Sequence, residues 1–131
     1  MFGKCGSLTN FTSDLSSLTD GNYMFYNCNA LTTFTSDLSS LTNGNYMFYN
    51  CYSLKPEIDN DLSKLKNADY MFYNCFSGDD SLSLSLSTAS FSNVSSANYM
   101  CASGGWPFSS FLFDLSSLVY GSHMFSECVK L

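Results

Sequence analysis

The chain has 131 residues, of which 45% are hydrophobic and 12% charged, and its formal net charge is −6 at pH 7. The scarcity of Lys and Arg argues against a nucleic-acid partner, because phosphate binding needs clustered cations. No apolar run approaches the length of a membrane span, and the total length suits one domain.

The pentapeptide Met-Phe-Tyr-Asn-Cys recurs along the chain, in full at residues 24–28, 47–51 and 71–75. The copies, weaker ones included, begin near residues 1, 24, 47, 71, 100 and 124. The steps are therefore 23, 23, 24, 29 and 24 residues. A period of this length predicts repeats of the leucine-rich class, because a two-helix repeat needs more residues per unit.

The template repeat begins with the pentapeptide 24–28, in which we expect Phe25 and Cys28 to face the core. Leu31 to Thr35 is predicted as a short strand with Leu31 and Phe34 pointing inward, since Thr and aromatic residues favour strands. One such repeat buries too little surface to fold alone, so the repeats must stack on one another.

The second half of the same repeat contains the phrase Asp-Leu-Ser-Ser-Leu at residues 37–41. Asp37 is predicted to cap a brief helical or 3₁₀ turn by accepting a backbone hydrogen bond. Asn43-Gly44 then signals a turn. The chain is expected to return along the other side of the repeat through Tyr46, which is predicted to point inward.

The later repeats depart from this template. Pro56 cannot donate to a strand ladder, which predicts a bulge or an edge there. Residues 81–87 alternate Ser and Leu, the pattern of a half-buried strand. In the fifth repeat Gly104 replaces the recurrent Cys and Trp106 follows. We expect function to lie where the pattern fails.

The pattern Met-Phe-x-x-Cys-x-x-Leu followed by Asp-Leu-Ser-Ser-Leu resembles the BspA-like leucine-rich repeats of bacterial surface proteins and some parasitic protists. The resemblance covers essentially the whole chain and implies an α/β, right-handed leucine-rich-repeat solenoid of about five short coils. It implies one short parallel strand per coil and little true helix. Residues 1–131 are then a single solenoid, which we expect to be a fragment of a longer repeat protein.

The recurrent cysteines are predicted to be buried free thiols. Equivalent residues of stacked repeats lie about 4.8 Å apart with parallel side chains, whereas a disulfide needs a crossed geometry. Zinc needs ligands that converge on one point, and no close Cys pair provides them. The column comprises Cys5, Cys28, Cys51, Cys75 and Cys128.

Two surfaces could bind a partner. The first is the polar side of the strands, called the strand face, whose candidate residues are Thr32, Thr35, Lys55, Glu57 and Trp106. The second is an exposed aromatic strip of Tyr26, Tyr49 and Tyr73. Extended faces of this kind bind protein or glycan in repeat proteins, although the tyrosines could instead stack between repeats and Trp106 could fill the irregular fifth repeat.

No catalytic or metal site is predicted. No Ser or Cys has a base partner, and the Asp residues of the recurrent phrase supply too few oxygens for Ca²⁺. His123 continues a column of tyrosines and is expected to pack there. We therefore predict a chain that is not an enzyme and that needs no cofactor.

The sequence thus favours a non-catalytic module that binds protein or glycan, and a structural spacer is the alternative. The resemblance implies a cell-surface or secreted protein. The terminal repeats carry no polar cap, which predicts either further flanking sequence or end-to-end self-association.

Overall fold

The computed structural model describes residues 1–55, 61–75, 91–104 and 113–128, and these ranges contain no helix. They contain two strands, β1 (Asn10–Phe11) and β2 (Thr33–Phe34). The strands pair in parallel, with Asn10 opposite Thr33 and Phe11 opposite Phe34. The predicted strand in residues 81–87 and the bulge at Pro56 lie outside the described residues.

A second line of parallel pairing runs along another side of the repeats. Single parallel bridges connect one repeat to the next at Asp20, Asn43, Asn67, Ser96 and Tyr120. The partners in each bridge are equivalent residues, 23 to 29 positions apart in the sequence. Successive repeats are therefore in register on two sides, as the periodicity predicts.

The segments around the pentapeptides form a third side, called the tyrosine face, which comprises residues 1–5, 21–28, 44–51, 68–75, 97–104 and 121–128. Alternate N–H groups on this face donate to the following repeat, as Phe25 does to the Met47 carbonyl at 2.9 Å. The intervening N–H groups close tight turns, as Cys28 does to the Phe25 carbonyl at 3.0 Å. Each repeat thus forms consecutive turns that are also joined to a neighbour.

This backbone requires positive φ angles at non-glycine residues. Tyr46 has a φ of 55° and Asn50 a φ of 58°, and the equivalent residues of the other repeats are similar. Asn tolerates this conformation, whereas an aromatic residue rarely adopts it. The strain costs about 1–3 kcal/mol per residue, so other interactions must hold the tyrosines in place.

The phrase Asp-Leu-Ser-Ser-Leu forms a capped turn, which confirms the role predicted for Asp37. The Asp37 carboxylate accepts the Ser39 N–H at 2.8 Å, and the Leu41 N–H donates to the Leu38 carbonyl at 2.9 Å. The turn does not extend into a helix. Asp14, Asp61 and Asp114 accept the equivalent bonds.

The core runs through the middle of the stack. The side chains predicted to face inward do so: Phe25, Cys28 and Leu31 are fully buried and Phe34 is 3% exposed. The prediction for Tyr46 is wrong, because its side chain is only half-buried. Buried Met47 occupies the interior beside it, since the positive φ of Tyr46 turns that residue's side chain toward the surface.

Gly44 is part of this packing as well as of a turn. A β-carbon at Gly44 would lie 2.9 Å from Sδ and 3.1 Å from Cε of Met71 in the next repeat. Gly21 has the same relation to Met47. The glycine therefore provides the space into which the following methionine packs.

Candidate functional site

Three of the five residues predicted for the strand face lie within the described ranges. Thr35 and Lys55 are exposed and Thr32 is half-buried. The Thr32 hydroxyl donates to the Thr9 carbonyl at 3.0 Å, so it belongs to the junction between repeats. Glu57 and Trp106 lie outside the described residues.

The surface around these residues is shallow. A depression of about 20 Å³ lies beside Phe34, which is room for a single water molecule. A ligand of this face would therefore be contacted over an open surface. The lining residues are Thr32, Thr33, Phe34, Thr35 and Lys55.

The predicted aromatic strip lies on the tyrosine face and forms part of a continuous stack. Tyr26, Tyr49 and Tyr73 are half-buried, and their ring centroids are 5.0 and 4.8 Å apart. The rings are nearly parallel, with interplanar angles of 15° and 7°. Neighbouring rings cover most of each other's faces, so mainly ring edges point outward. We call these three residues the second tyrosine column.

A first tyrosine column runs beside it and has the same geometry. Its centroid spacings are 4.7 to 4.9 Å and its interplanar angles 5° to 8°. His123 completes the column by stacking on Tyr99 at 4.8 Å, which confirms its predicted packing role. The column consists of Tyr23, Tyr46, Tyr70, Tyr99 and His123. Stacking at each step offsets the backbone strain at these residues.

The stacking also affects tyrosine ionisation. Burial raises the pKa of Tyr46, Tyr49 and Tyr70, and the neighbouring tyrosines raise it further. An ionised ring between two stacked rings would lose solvation and meet adjacent phenols. The stacked arrangement therefore favours the neutral, protonated form of tyrosine.

An amide ladder follows the tyrosines along the same face. Asn50 Nδ2 donates to Asn27 Oδ1 at 2.9 Å, and Asn74 Nδ2 donates to Asn50 Oδ1 at 2.9 Å. The column is polar at both ends, where Ser103 donates to Glu127 Oε2 at 2.7 Å and Lys4 occupies the first position. This asparagine column consists of Lys4, Asn27, Asn50, Asn74, Ser103 and Glu127.

The ladder gives a test of why Asn occupies these positions. Asn50→Ala is expected to lower the free energy of unfolding by about 2–3 kcal/mol. The substitution removes two hydrogen bonds between side-chain amides, and it places alanine, whose β-carbon disfavours positive φ, where asparagine is tolerated. Asn50→Gly removes the same bonds and relieves the φ restriction, so it should retain about 1 kcal/mol more stability than the Ala variant. Urea denaturation followed by circular dichroism measures both. Equal losses would show that the backbone angle does not select this residue.

The cysteines are free thiols at the described positions, and four of the six are buried. The predicted burial fails at both ends of the column, because Cys5 is exposed and Cys128 is only half-buried. Burial raises the pKa of the Cys51 thiol to about 12 and that of Cys75 well above its usual value. The Cys51 thiol donates to the Phe25 carbonyl at 3.1 Å. A protonated, hydrogen-bonded thiol is a poor nucleophile, so the column is structural.

Sequence reasoning missed a second polar column, which precedes the first tyrosine column by one residue. Asn45 Oδ1 accepts the Asp69 N–H at 2.8 Å, and Asp69 Oδ1 accepts the Asn98 N–H at 2.7 Å. Ser96 also donates its hydroxyl to Asp69 Oδ1 at 2.7 Å. The recurrence of Asn or Asp two residues before Met was the available signal.

Within the described ranges, no group of three His, Cys, Asp or Glu side chains could hold a metal ion. The same ranges hold no helix that is long and apolar enough to cross a membrane. Two open surfaces, the strand face and the tyrosine face, carry the residues predicted to contact a partner.

Comparison with known proteins identifies a family. No curated protein and no solved structure matches the chain. The family described as "Mycoplasma protein of unknown function, DUF285" matches residues 1–106, which include the first four repeats and the start of the fifth. The match covers most of the 131 residues, and the chain therefore belongs to the DUF285 family.

Proposed function

We propose that this chain is a non-catalytic binding module of a surface or secreted protein, in which the strand face contacts protein or glycan. The proposal also takes the stacked repeats to be a right-handed leucine-rich-repeat solenoid of the BspA-like kind. Three observations support that architecture. Successive repeats are in register on two sides, the described residues form turns in place of helices, and the core is continuous.

One observation carries the choice of surface. On the strand face the residue type changes between repeats, because exposed Lys55 takes the position that Thr32 holds one repeat earlier. The Lys55 N–H donates to the Thr32 carbonyl at 3.0 Å, so both residues lie on the same ladder. A surface that varies on a constant frame is what selective binding requires. The shallow relief suits a broad ligand such as protein or glycan.

The test compares two charge reversals on glycan and protein arrays. Lys55→Glu is expected to weaken binding of any captured partner by about tenfold or more, because it reverses the charge at the centre of the face. Lys66→Glu is the matched control, since Lys66 is exposed but lies away from the strands, and it should leave binding unchanged. No captured partner, or equal loss in both variants, would contradict the proposal.

A structural spacer is the second candidate function. The repeating tyrosine, asparagine and phenylalanine columns favour it, because they hold successive repeats together along the stack and vary little from one repeat to the next. A spacer should capture nothing on either array.

End-to-end self-association stays a prediction, as one of the two alternatives that uncapped terminal repeats allow. Apolar side chains are exposed in both terminal repeats, among them Met1 at 95%, Val119 at 69% and Tyr120 at 64%. Such an association is head-to-tail and open, so its oligomers should keep growing with concentration.

A further inference from the structure

The tyrosine face has little charge between its two ends. Along the asparagine column the exposed end residues are Lys4 and Glu127, and the residues between them are neutral. The Asp69 carboxylate, on the neighbouring polar column, is occupied by bonds from Ser96 and Asn98. A face in a chain of net charge −6 is thus left nearly neutral, with one cation at one end and one anion at the other.

The face is also straight. Successive ring planes differ by only 3° to 7° in the phenylalanine column of Phe2, Phe25, Phe48 and Phe72, and by 7° to 15° in the second tyrosine column. The first tyrosine column rotates by 5° to 8° per step. Columns this parallel make an extended surface that a second extended surface can meet along its length.

The backbone gives this face a direction. Phe2 N–H donates to Met24, Phe25 to Met47, Phe48 to Met71, Phe72 to Met100 and Cys101 to Met124, always from the earlier repeat to the later one. On the strand side the direction is reversed, as Thr32 N–H donates back to the Thr9 carbonyl. Aligned peptide groups sum to a dipole with its positive end at the N–H groups. Among the described residues, Lys4 lies toward the carbonyl end of this run of hydrogen bonds and Glu127 toward the N–H end, so the sign of each charge is opposite to that of the nearer dipole end.

We propose that the tyrosine face pairs two copies of this chain in an antiparallel, two-fold-symmetric dimer, in which Lys4 of each copy meets Glu127 of the other. An antiparallel pairing sets the axial dipoles of the two faces in opposite directions, which is favourable. It also forms the Lys4–Glu127 pair twice. Parallel pairing would bring like charges and like poles together.

The symmetry produces a consistent set of contacts. A two-fold axis across the column places the first repeat opposite the sixth, the second opposite the fifth and the third opposite the fourth. Asn50 then faces Asn74 of the second copy, and amides can bond to each other. Exposed tyrosine edges and amides are typical of protein interfaces.

This dimer is independent of the ligand of the strand face and differs from end-to-end association in being closed. Sedimentation velocity over increasing concentration should give a limiting mass of twice the 14.5 kDa chain. A species that stays monomeric at all concentrations overturns the proposal. So does a series of growing oligomers, which is the signature of end-to-end contact.

Charge exchange tests the pairing. Lys4→Glu should weaken dimerisation about tenfold or more, because symmetry creates two like-charge contacts. Combining it with Glu127→Lys should restore the dimer by exchanging the two charges. Lys66→Glu alone makes the same charge reversal off the face and should leave dimerisation unchanged. A double variant that stays as weak as Lys4→Glu overturns the proposal.

A zero-length cross-link gives direct evidence for the contact. Carbodiimide activates the Glu127 carboxylate, and the Lys4 amine then displaces the activating group to form an amide with net loss of water. Five repeat spacings of about 4.8 Å separate these residues by about 24 Å within one chain, so a Lys4–Glu127 peptide can come only from two chains. Mass spectrometry of the dimer band should find it, and its absence there would contradict the antiparallel register.

Discussion

Phe48→Ala is expected to lower the free energy of unfolding by about 3–5 kcal/mol. Phe48 is fully buried, and its ring stacks between Phe25 and Phe72 at centroid distances of 5.5 and 5.6 Å. It also meets Phe34 edge-on at 5.0 Å. The substitution removes contacts to both neighbouring repeats at once, and repeats of this kind are stable only through their neighbours. Because a domain of this size has about 5–15 kcal/mol in total, the loss is a large share.

Phe2→Ala is the matched control, because it makes the same chemical change in the same column. Phe2 is 37% exposed; its ring stacks on Phe25 on one side only, at 5.6 Å, and meets Phe11 edge-on at 4.9 Å. Its truncation should cost less than half as much as that of Phe48. Urea titrations followed by circular dichroism give both values, and the Phe48 variant should also show a broader transition if the stack is divided at its centre. Equal losses would mean that the column does not couple the repeats.

The repeat register and the inward residues of the template repeat could be predicted from the sequence. Leu31 and Phe34 follow from apolar spacing, and Asp37 follows from its place before the Leu-Ser-Ser-Leu turn. These predictions hold because each depends on local chemistry that the repeat copies unchanged. Where the same chemistry recurs, neighbouring repeats present equivalent groups to one another, and the stack follows.

Whether the Tyr46 side chain points inward or outward could not be predicted in this way. Apolar spacing treats it as an inward residue, yet a positive φ turns its side chain outward and brings Met47 inside. Sequence gives little warning of positive φ at an aromatic residue, because the strain is tolerated only once the neighbouring rings stack. The role of Gly44 escaped prediction for a related reason. Its missing β-carbon makes room for Met71, a residue one repeat away.

The two candidate surfaces differ in how far the sequence could describe them. Lys55 is visible in the sequence as a break in a Thr column, and the structure places it at the surface. The polarity of the tyrosine face is not visible, because it arises from the alternation of N–H groups between turns and neighbouring repeats. The relation between Lys4 and Glu127 becomes visible only in the structure, where both residues lie in the asparagine column.

Alkaline pH is expected to destabilise the fold, beginning near the ordinary pKa of a thiol. Burial, and to a smaller extent the neighbouring Cys28, raise the pKa of the Cys51 thiol from 9.0 to about 12. Burial also raises the pKa of Cys75 and Cys101 well above 9.0. In this range the native thiols keep protons that the unfolded thiols lose. Unfolding therefore releases protons, and its free energy falls as pH rises from about 9 toward 12.

The expected slope approaches about 1.4 kcal/mol per pH unit for each such thiol once the pH exceeds the ordinary thiol pKa, so the loss between pH 9 and pH 10 should be about 1 kcal/mol per thiol. Urea midpoints measured from pH 7 to pH 10.5 in the presence of a reductant give the curve. Cys51→Ala should be less stable than the wild type at pH 7, and the difference should shrink above pH 9 because the variant has one fewer buried thiol. Val94→Ala, a fully buried truncation without a titrating group, should instead run parallel to the wild type. Parallel curves for both variants would show that the Cys51 thiol ionises alike in the folded and unfolded chains, and the structural role of the cysteine column would then rest on packing alone.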